Sequence, residues 1–372
     1  MDFLKISSIK DAEDFCKNQL KDYSPFIDYY FFFYLEKTFC TSKKNGWEPE
    51  HIIIKNKEKI VGFIPNFKKF NSNGEYIFDH AWENAHYQMG IEYFPKYLSA
   101  TPFTPVTRET FLYSEIVIDN SMFTRKLINF LQDNKVSSFH INFIDKMVSN
   151  KLKNDFLQRI GIQYHWFNKN YKSFDEFLKN LKSRKKKNIL KERDFLRKNK
   201  IKFVKKLGND LTEKDLKLFF ECYVNTIKKK WSYQYLNIDF FRKIFLSDFR
   251  KKILLISAFE NKKFLGCSLH FLGNNTLYGR YAGTLIDIPF LHFELCYYQA
   301  IEYAIQKKIS KIEAGAQGEH KISRGYTPTI IYSNHWIKND QLKIGINKFL
   351  NYEKREILSA LEMMKRYSPF ND

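Results

Sequence analysis

The sequence has little of what usually identifies a protein class. Its five cysteines are scattered, odd in number and without C-x-x-C spacing, which disfavours a disulfide framework or a thiolate zinc site and favours a reducing compartment. The nine histidines show no metal-ligand spacing, so we predict no metal site. The motifs G-x-G-x-x-G, G-x-x-x-x-G-K-[ST], G-x-S-x-G and H-E-x-x-H are absent. These absences disfavour dinucleotide oxidoreductases, P-loop nucleotidases, α/β-hydrolases and zincin proteases.

Long apolar runs are also missing. The longest aromatic-apolar run, Tyr29 to Leu35, is far too short to span a bilayer. The first fifteen residues carry acids and polar groups where a signal peptide needs an apolar stretch. We therefore expect a cytoplasmic protein without a transmembrane segment.

Length and charge set the first positive expectations. A chain of 372 residues exceeds what one core usually supports, which predicts two domains. Its 62 Lys and Arg residues outnumber 41 Asp and Glu residues, giving a net charge of +21. This excess favours anionic partners such as nucleic acid, phosphorylated cofactors or a membrane contacted peripherally through a basic surface. A compositional bias throughout the chain is the alternative explanation.

One loop concentrates candidate site residues. The run GAQGEHKISRGYTP, from Gly315 to Pro328, directly follows a strand-like segment, Ile309 to Ala314. Its glycines allow positive φ angles and close approach of a ligand to the main chain. The run combines titratable groups with fixed positive charge at a strand end, where binding and catalytic sites tend to be built. We interpret it as a functional site.

A second dense run, Asp79 to Leu112, mixes His, Glu, Tyr and Trp with prolines. Proline fixes φ and removes a hydrogen-bond donor, so we expect neither a continuous helix nor a central strand here. The run forms either a second site or an aromatic cap over a core edge.

Apolar periodicity predicts alternating helices and strands in both halves. We predict helices at 26–39, 122–132, 152–160, 211–227, 238–245 and 293–306, and strands at 51–54, 60–67, 139–144, 163–167, 253–259, 264–271, 276–282 and 309–314. The segments NKEKIVGFIPNF, from Asn56, and NKKFLGCSLHF, from Asn261, resemble each other, with Gly62 and Gly266 in equivalent places. This pattern indicates a duplication: two similar α/β domains in one chain.

A basic segment separates the two halves. An apolar helical face beginning at Phe174 runs into Arg184 to Lys187, four basic residues in succession. Most charge runs are solvated faces, but four in a row cover the whole helix circumference. Arg184 or Lys185 is therefore a candidate anion clamp. The predicted domains are 1–168, a basic helical linker at 169–205, and 206–372.

The chain resembles the FemAB-like predicted N-acyltransferases, of the GNAT superfamily and the peptidoglycan biosynthesis/recognition type. The resemblance runs almost end to end, through long motifs in one order. These are GWEPEH at Gly46, GEYIFDHAW at Gly74, YFPKYLSATPFTPV at Tyr93, SRKKKNILKER at Ser183, TLYGRY at Thr276, PFLHFELCYYQAIEYAI at Pro289, the run at Gly315, and SNHW at Ser333.

The resemblance implies an α/β (α+β) fold with two GNAT-like domains, each a mixed β-sheet flanked by helices. It implies a V-shaped opening for the acyl donor between Thr276–Ala282 and Ile309–Ala314. The glycine-rich phosphate loop for acetyl-CoA is replaced by LIDIPFLHFELC, from Leu285, which disfavours ordinary acetyl-CoA binding.

Acyl transfer to an amine needs a base, stabilisation of the carbonyl oxygen, and close placement of both reactants. The candidate catalytic bases are Glu319 and His320 in the second half and Glu83 and His86 in the first. The candidate substrate-binding residues are Arg324, Lys321, Arg280, Tyr281, Gly315, Gln317, Gly318, Tyr87, Tyr93, Phe103, Thr104, Arg184 and Lys185.

The expected function is transfer of an acyl or aminoacyl group from an activated donor to an amine acceptor. The resemblance implies aminoacyl-tRNA or acyl-CoA as an anionic co-substrate, no tightly bound cofactor, and a peptidoglycan precursor as one acceptor. The alternative is a non-catalytic binding module of degenerate GNAT fold that recognises a cell-wall peptide or a nucleic acid.

Overall fold

The computed structural model describes residues 1–20, 24–114, 120–315 and 318–371. Its strands are β1 Asp2–Ile6, β2 Trp47–Pro49, β3 His51–Asn56, β4 Lys59–Ile64, β5 Phe67–Lys69, β6 Lys96–Ser99, β7 Tyr113–Ser114, β8 Ser138–Ile144, β9 Leu157–Phe167, β10 Ile201–Leu207, β11 Ile253–Glu260, β12 Lys263–Leu272, β13 Thr276–Thr284, β14 Lys311–Glu313 and β15 Thr327–Ile337.

The helices alternate with these strands. They are α1 Glu13–Gln19, α2 Tyr29–Lys37, α3 His80–Gln88, α4 Asn120–Asp133, α5 Lys146–Leu152, α6 Phe174–Lys179, α7 Ser183–Lys198, α8 Glu213–Lys229, α9 Ile238–Leu246, α10 Leu291–Phe293, α11 Gln299–Gln306 and α12 Asp340–Lys365. A π-helical turn, Glu294–Tyr298, joins α10 to α11, and a 3₁₀ turn covers Glu319–Arg324.

The chain divides into two compact units. Unit 1 comprises Met1–Ile162 and Ile330–Ala360, and unit 2 comprises Gln163–Thr329 and Leu361–Asp372. The chain therefore passes between the units inside β9, β15 and α12. The residues predicted as a basic linker, 169–205, all belong to unit 2.

Unit 1 has two sheets. One has the order β1-β3-β4-β7, and the other includes β15-β8-β6-β5-β2. Apolar side chains from β3, β4, β8 and α4 form its main core, in which Ile52, Leu127 and Phe139 are fully buried. β6 pairs parallel with β8, while the other ladders described in this unit are antiparallel.

Unit 2 is built on the mixed order β10-β11-β12-β13-β14-β9. β11, β12 and β13 form the antiparallel meander that the sequence predicts, and β14 pairs parallel with β13. Helix α8 begins at a capping box in which Thr212 and Asp215 satisfy each other's backbone N–H groups. Its buried aromatic face packs on α9, with the rings of Phe219 and Phe241 4.9 Å apart.

Two sequence predictions about local structure are wrong. The predicted helix at 152–160 is instead the end of α5 followed by β9, because the spacing of Leu152, Phe156 and Ile160 fits both helical and strand periods. The run Asp79 to Leu112 does contain a central strand, β6, between β5 and β8. Its four residues fit between Pro95 and Pro102, so no proline N–H is needed in its ladders.

Candidate active site

The centre of unit 2 is the parallel pair β13 and β14. The two strands pair only between Thr276–Tyr278 and Lys311–Glu313, and β13 then continues to Thr284 without this partner. These paired residues belong to the segments Thr276–Ala282 and Ile309–Ala314, which are the predicted two sides of the donor opening. Beyond Glu313 the chain leads into the Gly315 run.

A β-bulge redirects β13 next to this divergence. Leu269 and His270 of β12 pair with Tyr281 and Gly279, so that Arg280 is one extra residue on β13. Bulges bend a strand and redirect its side chains, and they are common beside active sites. The half-buried Tyr281 packs against Tyr223, with ring centroids 5.5 Å apart.

The turn that carries the candidate base is enclosed by glycines. Gly318 precedes it with φ 115° and Gly325 follows it with φ 92°, values that disfavour other residues. A Cβ atom on Gly318 would lie only 2.6 Å from Cε1 of His320. Glycine at 318 therefore both permits the backbone angle and leaves space for the imidazole.

His320 is exposed on one side and held on the other. Its Nε2 lies 2.9 Å from the hydroxyl of Tyr297, and its ring centroid is 5.9 Å from that of Phe293. Burial of part of the ring lowers the pKa of His320, and the charges of Arg324 and Lys321 lower it further. The imidazole is therefore neutral near pH 7 and able to accept a proton.

Arg324 is buried, and its two Nη atoms position this turn. Its Nη2 donates to Oε1 of Glu192 on α7 at 2.8 Å, and its Nη1 donates to the backbone carbonyl of His320 at 3.0 Å. The guanidinium also lies 3.5 Å from the centroid of the Phe293 ring. The buried Tyr298 hydroxyl donates to the same Glu192 carboxylate. Arg324 thus fixes His320 relative to α7 and the π-helical turn.

Lys321 supplies a second buried cation. Its Nζ donates to the carbonyl of Gly315 at 3.3 Å. Burial lowers its pKa to about 8, with contributions from the positive charges of Arg280 and Lys230. Lys321, Arg280 and Lys230 are therefore close enough for their charges to interact, and such a group of cations favours an anionic substrate.

The other candidates of this loop differ in placement. Glu319 is exposed, whereas His320 contacts Tyr297 and Phe293. Gln317 lies outside the described residues. Gly315 has φ 82° and offers its carbonyl to Lys321.

Several residues of this site were missed by the sequence analysis. The π-helical turn presents Tyr297 to His320 and Tyr298 to Glu192. The buried Glu294 in the same turn pairs with Arg193 of α7 at 2.9 Å. Nothing in the local sequence marks a π-helical turn, and its contacts reach residues 23 positions away at His320 and more than 100 positions away at Glu192 and Arg193. π-Helical turns are frequent at functional sites.

The basic run lies at the start of a separate helix. The structure ends α6 at Lys179 and begins α7 at Ser183, so the predicted continuous stripe from Phe174 is interrupted. Leu181 between them forms an isolated bridge with Phe370. Arg184 is exposed and Lys185 half-buried, while Ile189 and Leu196 form the buried face.

In unit 1, Glu83 and His86 are not brought together as a pair. The Glu83 carboxylate is 42% exposed and lies 3.8 Å from His80. His86 is buried, and its Nδ1 lies 2.7 Å from the carbonyl oxygen of Trp82. Burial lowers the pKa of His86. The Glu83 side chain is thus partly exposed to solvent, whereas the His86 side chain lies in the core.

The aromatic candidates of unit 1 also have different environments. Tyr87 is 84% exposed. Phe103 is buried against Trp47, with ring centroids 4.9 Å apart, and the hydroxyl of buried Thr104 donates to the carbonyl of Pro102. These two residues are part of the core.

Tyr93 belongs to a buried polar network. Its hydroxyl donates to Asp79 at 2.5 Å and lies 3.3 Å from Nε2 of His140. His140 and His335 face each other through their Nδ1 atoms at 2.7 Å. Burial lowers the pKa of His140 to about 3 and that of His335 well below its usual value.

Two lysines complete this network. Lys96 donates to Asp79 and, at 3.0 Å, to Glu75, and Lys69 lies 3.8 Å from Glu75. The two amines and the two carboxylates are nearly inaccessible, and their formal charges balance within this network.

Two kinds of feature are absent from the described ranges. No helix there is both long and apolar enough to cross a membrane. In the same ranges, no group of three or more His, Cys, Asp or Glu side chains is arranged to hold a metal ion.

Comparison with known proteins gives a family and a fold. The FemAB-like family, described as peptidoglycan biosynthesis/recognition, matches residues 5–372. The crystal structure of FemX aligns with a TM-score of 0.51 at 12% identity, over 93% of this chain and 100% of that chain. No curated protein matched the sequence.

Two further solved structures are similar. The C-terminal domain of a putative lysylphosphatidylglycerol synthetase from Agrobacterium fabrum aligns with a TM-score of 0.55 at 6% identity, over 92% of this chain and 97% of that one. A tandem GNAT protein from the clavulanic acid biosynthesis pathway has a TM-score of 0.44 at 6% identity, over 91% and 98%. The predicted family and the mixed α/β fold are confirmed.

Proposed function

Because the chain belongs to the FemAB-like family of peptidoglycan biosynthesis/recognition, we propose that it is an N-acyltransferase or aminoacyltransferase. It moves an acyl or aminoacyl group from an activated anionic donor, aminoacyl-tRNA or acyl-CoA, to an amine. The acceptor class we propose is a peptidoglycan precursor. The single observation that carries the proposal is His320, hydrogen-bonded to Tyr297 beside the buried cations Lys321 and Arg324.

His320 acts as the general base in this proposal. When Nε2–H donates to the Tyr297 hydroxyl, Nδ1 is free to take a proton from the acceptor amine. The amine nitrogen attacks the acyl carbonyl, the bond from carbonyl carbon to the donor's oxygen or sulfur breaks, and the leaving group takes up a proton. Positioned proton transfer of this kind contributes on the order of 10²–10⁴-fold to rate.

The neighbouring groups have distinct roles. Lys321 and Arg280 attract the anionic part of the donor, because charge-assisted contacts to phosphate are stronger than neutral ones. Arg324 holds the backbone of His320 through its bond to that residue's carbonyl and is therefore a positioning residue. Backbone N–H groups at Gly315 and Gly318 are the proposed oxyanion donors. Direct attack by the amine needs no covalent intermediate.

A non-catalytic binding module is the second candidate. It is favoured by Arg324, whose bonds to Glu192 and to the His320 carbonyl brace the loop whether or not chemistry occurs there. In that case the site binds a ligand without turnover.

A ligand screen with a linked transfer assay separates the two candidates. Thermal shift with acyl-CoA, aminoacyl-tRNA and peptidoglycan precursors detects ligands, because a ligand that binds only the folded state raises its apparent stability. Each ligand pair that shifts the melting temperature is then incubated with radiolabelled acyl donor. Label appearing on the acceptor amine supports the enzyme. Binding without any transferred label at high protein concentration supports the module instead.

A further inference from the structure

The segment that follows α8 is both basic and aromatic. Residues 228–234, KKKWSYQ, are all exposed, and Trp231 has 96% of its surface accessible while Tyr233 has 57%. The other tryptophans, Trp47, Trp82, Trp166 and Trp336, are buried. This ring contributes little to the core, and it directly follows three consecutive lysines.

The backbone at Trp231 makes the choice of residue more unusual. The N–H of Ser232 donates to the carbonyl of Ile227, and the N–H of Trp231 donates to that of Lys228, which is the Schellman motif at the end of a helix. Trp231 occupies the left-handed position with φ 49°, where glycine is usual and a bulky residue is strained. At the corresponding left-handed positions after α7 and α11 the chain has Lys200 and Lys308. Neither side-chain packing nor backbone geometry therefore favours tryptophan at position 231.

Hydrogen bonds attach this end of α8 to β13, the strand that carries Arg280 and Tyr281. The Asn225 side chain donates to the carbonyl of Thr284 at 2.7 Å, and the Thr226 hydroxyl donates to that of Ala282 at 2.8 Å. Lys229 pairs at 2.9 Å with Asp287 in the segment between β13 and α10. The exposed aromatic segment is therefore held at the end of β13, beyond Arg280 and Tyr281.

One lysine of the segment, Lys230, acts electrostatically on the same site. Lys230 is near enough to contribute, after burial and the charge of Arg280, to the lowered pKa of Lys321. Its charge also acts on Cys296 and His292, which flank Tyr297 and Phe293. An anion bound between Lys321 and Lys230 would thus lie next to the residue that precedes Trp231 in the chain.

We propose that Lys228–Tyr233 is a binding platform for a phosphorylated adenosine, with the base stacked on Trp231 and the phosphate held by Lys228 and Lys230. Aromatic side chains and lysines together recognise unpaired nucleotides in this way. This ligand identity rests on the proposed function, because aminoacyl-tRNA and acyl-CoA share a phosphorylated adenosine. It gives the donor a second attachment point apart from the reacting acyl group.

Tryptophan fluorescence tests the platform directly, because Trp231 is the solvent-exposed one of the tryptophans. The protein is titrated with CoA and with a short single-stranded RNA ending in adenosine. We expect both to quench the exposed tryptophan emission. RNA affinity should fall more steeply with salt than CoA affinity, because more counterions are released from a polyanion.

Variants read by isothermal titration separate stacking from charge. Trp231→Ala should weaken binding of the tighter probe on the order of 5- to 150-fold, whereas Trp231→Phe should keep most of the affinity. Trp231→Gly should bind as poorly as Trp231→Ala without a lower melting temperature, because glycine relieves the positive φ. Tyr367→Ala removes another exposed aromatic of unit 2 and should leave binding unchanged.

The lysine pair has its own matched control. Lys228→Ala/Lys230→Ala should weaken binding and reduce its salt dependence, whereas Lys262→Ala/Lys263→Ala removes two exposed lysines from the β11–β12 turn without effect. Equal affinities for parent, Trp231→Ala and the lysine double variant would overturn the platform.

Two further results would also contradict it. Quenching by neither probe, combined with a blue shift on vesicles of phosphatidylserine and phosphatidylcholine, would identify a membrane contact. Normal acyl transfer by Trp231→Ala at low donor concentration would remove the platform while leaving the proposed function intact. Conversely, nucleotide stacking on Trp231 without any acyl transfer would support the platform and contradict the enzyme.

Discussion

Each unit contains a similar hairpin, β3–β4 in unit 1 and β11–β12 in unit 2, and both hairpins have a bulge at the equivalent position. In unit 1, Ile54 pairs with Gly62 and the register then shifts by one residue; in unit 2, Ala258 pairs with Gly266 and the same shift follows. Lys57 and Asn261 begin the two turns with φ 54° and 55°. Every equivalent position is 204 residues apart in the chain. The two segments whose resemblance suggests a duplication thus have the same hydrogen-bond register.

The surroundings of the shared hairpin differ. In unit 1, β4 continues into only a two-residue ladder with β7, and the parallel pair β6–β8 belongs to another sheet. In unit 2, β12, β13 and β14 stay in one sheet, with the bulge at Arg280 between them. Only unit 2 therefore has the parallel strand pair directly beside the hairpin among the described strands.

The titratable side chains also have different environments in the two units. In unit 1, Asp79 and Lys96 are buried and bonded to each other, and the buried His140 is linked to Asp79 through the Tyr93 hydroxyl. In unit 2, His320 has an exposed edge beside buried cations. Buried, mutually paired charges hold the surrounding structure, because loss of one partner is costly, whereas an accessible imidazole with a lowered pKa is suited to chemistry. The following predictions test that contrast, from the largest effect to the smallest.

Loss of Lys96 should give the largest effect on stability. Lys96→Met leaves the Asp79 and Glu75 carboxylates without their main cation, and removing one partner of a buried ion pair costs about 3–5 kcal/mol. The control is Lys321→Met in unit 2. Burial already lowers the pKa of Lys321 to about 8, so removing its charge should cost much less. Urea denaturation of both variants measures the difference, and equal losses would contradict the contrast between units.

The accessible imidazole should control turnover. We expect His320→Ala to lower turnover by about 10²-fold or more with an unchanged melting temperature. Because the base must be neutral, kcat/KM of the parent should rise with pH through a pKa below about 6.5 and then level off. Glu319→Gln should keep this profile, because His320 is the proposed base. Near-parental turnover in His320→Ala would place the residue among the structural ones, and a pH step lost in Glu319→Gln would make Glu319 the base.

The equivalent glycines of the hairpins provide a smaller, closely matched comparison. A Cβ on Gly266 would lie 2.6 Å from the backbone oxygen of Gly283, whereas one on Gly62 would meet the flexible end of Ile54 at 2.9 Å. Gly266→Ala should cost about 1–3 kcal/mol, as overpacking does, and Gly62→Ala clearly less. Thermal unfolding of the two variants measures this. A larger loss for Gly62→Ala would show that β13 is not the rigid neighbour that the structure indicates.

The basic start of α7 should give the smallest change in stability. Arg184→Ala/Lys185→Ala should alter the free energy of unfolding by about 0.5 kcal/mol or less, because Arg184 is exposed and Lys185 half-buried. If these residues attract the donor, affinity should fall and its salt dependence should weaken. Calorimetric titration at several salt concentrations decides this. Unchanged affinity, or a large loss of stability, would make this turn structural.

Much of the fold could be predicted from local patterns. The hairpins, the three-strand meander and α8 follow from alternating or helical apolar periods and from turn residues, which act over a few positions. The 152–160 segment failed because its spacing fits two periods at once. The break between α6 and α7 also escaped prediction, since it depends on the bridge from Leu181 to Phe370.

For the site, the sequence by itself determined the chemistry of the Gly315 run: glycines for unusual backbone angles, and His320, Lys321 and Arg324 in close succession. Tertiary structure alone decided which of these groups are accessible. Glu192, Phe293 and Tyr297 come from other segments, and their contacts separate Arg324, which is engaged in positioning, from His320, which keeps an open edge. Charge and backbone freedom are properties of a residue and its neighbours, whereas burial and hydrogen-bond partners depend on distant segments packed together.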